Sequence, residues 1–145
     1  MVEQEYMFYL SFENSLCKDY ITEKFYNAMN HSVVAVTLGG ALNGDHNDYE
    51  DAAGAPRHSF IDVLRGYPDP AKLAAYLKSL RAKPSLYAEY FWWKDFYRTG
   101  DQSPMNQYCD VCKRLHTMGN QKQVVEHLDK WWVYDAKCRP MKIGG

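Results

Sequence analysis

Residues 12–24 read Phe-Glu-Asn-Ser-Leu-Cys-Lys-Asp-Tyr-Ile-Thr-Glu-Lys, a concentration of groups that can hold a phosphorylated sugar nucleotide. Lys24 can place a full positive charge on a diphosphate, and Glu23 can accept hydrogen bonds from ribose hydroxyls. Tyr20 can stack or hydrogen-bond. The plainer alternative is that Glu23 complements a helix dipole and Lys24 is an ordinary surface lysine. Neither a Gly-x-Gly-x-x-Gly nor a P-loop pattern is present.

The elements around this stretch decide what it can do. Residues 6–12 are a nearly unbroken apolar run, as in a strand covered on both faces. Ile21, Phe25, Ala28 and Met29 follow at helical spacing, so a helix starts near Asp19 or Thr22 and ends around Asn30. Residues 33–38 form a second, β-branched apolar run, stopped by Gly39 and Gly40. Strand, helix, strand is a right-handed parallel crossover, and ligands of such sheets bind beyond the strand ends, where helix N-termini offer free N–H groups.

A long loop follows, then a short strand over residues 59–63. Pro70 opens a helix buried through Leu73, Leu77 and Leu80, and Pro84 a second carrying Leu86, Tyr90, Trp93 and Tyr97. Residues 108–118 can be helical. Trp131 and Trp132 must pack against something. The class is α/β, a Rossmann-like parallel sheet with flanking helices. Residues 1–100 form the main domain and residues 101–145 a segment packing on it.

Composition removes several functions. The 145 residues carry a formal net charge of −1, which leaves no basic surface for nucleic acid. No run is apolar enough to span a membrane, and the first twenty residues lack a secretory pattern.

The runs 12–15, 19–24 and 33–40 together resemble the donor-binding signature of the α-1,3-fucosyltransferases of glycosyltransferase family 10. Residues 59–63, the Pro70 helix, residues 90–94 and the pair Cys109 and Cys112 resemble that family in order and spacing. The resemblance implies the GDP-fucose-binding, C-terminal half of a GT-B fold. It implies that Lys24 contacts the diphosphate and Glu23 the ribose, with Asn14, Ser15, Tyr20 and Thr22 in the same site.

The activity implied is inverting transfer of L-fucose from GDP-fucose to N-acetylglucosamine of glycoprotein N-glycans, on the lumenal side of the Golgi apparatus. No cofactor or divalent metal is required. In the family a glutamate base and a second phosphate-binding arginine precede the stretch at residues 12–15. The chain therefore resembles a fragment, without catalytic base or membrane anchor, and is expected to be inactive by itself. A GDP-fucose-binding fragment without turnover is the alternative. Two departures are Ala35, where many members have Pro, and a longer, more acidic loop at residues 44–54.

Resemblance also places Cys109 and Cys112 in disulfides. Cys109, Cys112, His116 and Cys138 can alternatively form a zinc site in a small interaction domain. Cys17 reads as a small buried hydrophobe. Asn30-His31-Ser32 is a glycosylation sequon, with Asn30 alternatively a left-handed helix cap. Trp92, Trp93, Trp131 and Trp132 can be core or line a sugar subsite.

Overall fold

A computed structural model describes residues 5–40, 48–100, 104–119, 121–122 and 124–140. Three strands, β1 (Phe8–Phe12), β2 (Val34–Leu38) and β3 (Phe60–Asp62), form one parallel sheet in the order β1-β2-β3. Leu10 pairs with Val36, which pairs with Ile61. All five residues of β2 are buried, as its β-branched run requires of a central strand. Parallel neighbours need a crossover, and α1 (Glu23–Asn30) supplies the first.

The side-chain alternation of β2 divides the core in two. Ala35 joins Phe25, Ala28 and Met29 of α1 on one face, whereas Val34 and Val36 join Ile61, Leu80 and Tyr90 on the other. Both faces carry helices, and the α/β class follows.

The remaining helices cover that frame. A single turn, α2 (Asp48–Asp51), lies inside the long loop, whose residues 41–47 are outside the described set. Asp62 caps α3 (Val63–Gly66) by accepting the Arg65 N–H at 3.2 Å. Asp69 caps α4 (Pro70–Ala82) by accepting the Ala71 N–H at 2.8 Å. Leu80 is its fully buried residue, and Leu73 and Leu77 pack half-buried beside it.

The helix expected to run from Pro84 through Tyr97 is instead split. α5 (Pro84–Ala88) tightens into a 3₁₀ segment, Glu89–Asp95. Tyr90 then plugs into one core and Trp93 into the other, while Leu86 and Tyr97 are exposed. The Tyr90 hydroxyl lies 2.7 Å from that of Tyr76 on α4, which locks the tightened turn.

α6 (Pro104–Met118) begins before the expected residue 108, and a π-helical turn spans Lys130–Asp135. Asn30 closes α1 but is not left-handed; the cap is His31, with extended backbone at φ −107°. The turn at the end of α1 therefore needs no special residue.

Candidate donor site

The site is assembled where β1 stops. The Glu13 N–H donates to the Leu38 carbonyl at 2.8 Å, continuing the ladder by one residue, and its side chain is fully buried. Its carboxylate accepts the Thr22 N–H at 2.8 Å and the Thr22 hydroxyl at 2.7 Å. The Thr22 hydroxyl, bonded to Glu13, caps no helical N–H; the strand-end acid instead fixes the N-cap residue itself at the helix entrance.

Lys24 completes the cluster. Its ammonium donates to the Thr22 hydroxyl at 3.2 Å, lies 3.6 Å from Glu13 and 3.5 Å from Glu23. The Ser11 hydroxyl donates to the Lys24 carbonyl at 3.1 Å, pinning the first helical turn to the strand. Partial desolvation opposes the ammonium's charge, but Glu13 and then Glu23 outweigh it and hold the Lys24 pKa above its ordinary 10.5. A hydrogen bond from its own backbone N–H, against some desolvation and with help from Lys24, holds Glu23 below the usual carboxylate range. Lysine and glutamate are both charged at neutral pH.

Close backbone approach makes the cluster possible. A Cβ on Gly39 would sit 2.5 Å from the Tyr49 hydroxyl and 2.6 Å from Glu13 Cγ. Gly40 has φ +71° and faces Asp48, whose carboxylate accepts the Asp19 N–H at 2.9 Å. That bond holds Asp19 at φ 55°, a conformation that Asp tolerates better than most residues. Burial first, then the charges of Glu13 and Asp62, raise the Tyr49 pKa, so its phenol stays neutral beside Glu13.

The expected site residues divide into two groups. Thr22, Glu23 and Lys24 converge at the start of α1. Ser15 and Tyr20 line a cavity of about 420 Å³, and Asn14 is exposed at the head of the same loop. Glu13 and Asp48 did not stand out in sequence, although a carboxylate directly after an apolar strand run is a signal for the first.

The C-terminal segment forms the far wall of that cavity, through Trp131, Trp132 and Asp135. A disulfide joins Cys17 to Cys138, and backbone hydrogen bonds flank it: Lys18 N–H to the Ala136 carbonyl at 2.7 Å, and Arg139 N–H to the Leu16 carbonyl at 2.9 Å. Cys17 is buried as expected, but as half of a disulfide. Cys109 and Cys112, expected in disulfides, are exposed free thiols on α6. Cys138 is also spent for the alternative zinc set. No group of three or more candidate ligands converges among the described residues.

The family model for the C-terminal region of glycosyltransferase family 10 (fucosyltransferase) matches residues 1–131. The chain belongs to that family. It is 41% identical over 141 residues to alpha-(1,3)-fucosyltransferase C of Drosophila melanogaster, covering 96% of this chain and 30% of the relative. It is 40% identical over 144 residues to glycoprotein 3-alpha-L-fucosyltransferase A of the same fly, covering 95% and 26%. It is 40% identical over 126 residues to human 4-galactosyl-N-acetylglucosaminide 3-alpha-L-fucosyltransferase 9, covering 86% and 33%.

This family 10 chain thus spans about a quarter to a third of the length of the curated relatives it matches. Its parallel sheet with flanking helices agrees with the Rossmann-like half of a GT-B fold. Among the described residues, no helix is long and apolar enough to cross a membrane.

Proposed function

We propose that these residues are the donor-binding part of an α-1,3-fucosyltransferase that moves L-fucose from GDP-fucose to N-acetylglucosamine of glycoprotein N-glycans. Residues 1–100 would form the donor-binding unit and residues 101–145 the segment packed on it, working in the Golgi lumen. The observation that carries the reading is the Lys24 ammonium, held at the start of α1 by the buried Glu13 carboxylate.

In inverting transfer the acceptor hydroxyl, deprotonated by a carboxylate, attacks the fucose anomeric carbon while GDP leaves from the opposite face. Negative charge grows on the departing diphosphate. Lys24, fixed in advance by Glu13 and Thr22 on a turn that Ser11 pins to the strand, stabilises that charge with little reorganisation, at the positive end of the α1 dipole. Glu23, paired with Lys24 but 67% exposed, keeps carboxylate surface open to ribose hydroxyls, while Asn14, Ser15 and Tyr20 lie on the loop that leads to it. We assign no residue as the base. For these residues taken by themselves, the proposed activity is donor binding without turnover.

Titration calorimetry with GDP and GDP-fucose tests the assignment. Lys24→Gln should weaken both about 10- to 100-fold, the range of a charge-assisted hydrogen bond of about 1.5–3 kcal/mol. Unchanged affinity in a folded variant would remove Lys24 from the site.

A further inference from the structure

We propose that Trp131 and Trp132 form a stacking subsite for a neutral pyranose ring, in the cavity they share with the loop that leads into α1. The proposal relies on the donor-site reading only to name the sugar as a substrate.

The two indoles expose 55% and 62% of their surfaces, whereas Trp93, alike in sequence, is 96% buried at 4% exposure. They are nonetheless held in place. The disulfide from Cys138 to Cys17 and the two backbone hydrogen bonds beside it fasten their segment to the loop carrying Ser15 and Tyr20. A π-helical turn, a local geometry frequent at functional sites, carries both rings. Apolar stacking surface is therefore presented to a cavity of about 420 Å³, and is not collapsed into a core.

The polar lining selects the ligand class. Lys18 lies 3.7 Å from Asp19, and Asp135 lies 3.9 Å from Lys130, so the charges at the rim are balanced locally and offer no concentrated field for an anion. What the lining offers is hydrogen-bonding groups of both kinds: the Asp19 and Asp135 carboxylates, the Ser15 and Tyr20 hydroxyls and the Lys18 ammonium. A pyranose has an apolar C–H face for an indole and a rim of hydroxyls for such groups. The indoles are tilted by 50° with centroids 5.7 Å apart, in contact with each other, so a pyranose stacks on the open face of one indole and not between the two.

The fucose of the donor and the N-acetylglucosamine of the acceptor share this chemistry, and the probes separate them. Trp131→Ala, Trp132→Ala and Trp132→Phe are titrated with GDP, GDP-fucose and N,N′-diacetylchitobiose. The alanine variants should lose about 10-fold or more in affinity for one of the two sugar probes, retain GDP affinity, and be largely rescued by Phe. Loss confined to chitobiose assigns the ring to the acceptor, and loss of the advantage of GDP-fucose over GDP assigns it to the donor. Unchanged sugar affinity, no sugar affinity in the wild type, or equal loss of GDP and sugar would overturn the subsite. Failure of the wild type to bind GDP would sink the Lys24 reading instead, and the chitobiose arm would still decide the tryptophans.

Discussion

The carboxylate of Glu13, one residue past β1, lies 3.6 Å from the ammonium of Lys24 in the first turn of α1, and the Thr22 hydroxyl is hydrogen-bonded to both. A buried acid thereby aims a lysine that is 28% exposed at the helix entrance. Lys24 is pre-positioned between two carboxylates, Glu13 and Glu23, with its ammonium still reaching solvent.

Removing Glu13 should loosen strand and helix together. Glu13→Gln keeps the shape but loses the charge facing Lys24, and should cost about 1–3 kcal/mol. Glu13→Ala also strands the Thr22 N–H and hydroxyl, and should approach the roughly 3–5 kcal/mol of a broken buried pair, reduced because Lys24 reaches solvent. Urea unfolding measures both. Wild-type midpoints would mean that the pair holds nothing.

The pH dependence of GDP binding should carry the Lys24 signature. A lysine whose pKa is raised in the folded protein contributes fully below the ordinary 10.5, and its contribution disappears as pH rises through the higher folded value. Binding should therefore stay level through mildly alkaline pH and fall only above about 10.5, a fall that Lys24→Gln abolishes. A decline well below that pH would mean that another group titrates.

Gly39 is required by contact distance. A methyl group there meets two buried neighbours at once, the Tyr49 hydroxyl and Glu13 Cγ, and neither is the loose end of a surface chain. Gly39→Ala should destabilise by about 1–3 kcal/mol through overpacking and should also disturb Lys24 through Glu13. Gly66→Ala, with nothing within 4 Å of the new methyl, is the control. Equal thermal midpoints for the two would contradict the packing described.

The parallel sheet was legible because the buried central strand and the helical stripe of Phe25, Ala28 and Met29 are local patterns. Thr22, Glu23 and Lys24 were legible for the same reason: a helix start is written in neighbouring residues. Glu13 was not, because what makes it a buried partner, Thr22, is nine residues away across a loop. The 3₁₀ segment was hidden because four aromatic and aliphatic positions cannot separate a period of 3.6 from one of 3.0. Nor does sequence separate core Trp93 from exposed Trp132, since only the disulfide and its flanking hydrogen bonds place the latter.

The cysteines give the last test. With Cys17 and Cys138 joined, alkylation of the folded, unreduced chain should add two labels, on Cys109 and Cys112, and four after reduction and unfolding. Peptide mapping that finds Cys17 or Cys138 labelled first would refute the pairing. The bond closes a loop across 121 residues, so chain-entropy reasoning puts its contribution near 4–5 kcal/mol, an upper value where the unfolded chain keeps residual structure. Cys138→Ser should therefore lower the denaturation midpoint more than Cys109→Ser, whose thiol is exposed and unbonded. It should also free the segment of Trp131 and Trp132 from the loop at Ser15. If the cavity depends on that tether, the variant loses sugar affinity while Lys24, anchored independently by Glu13, still binds GDP.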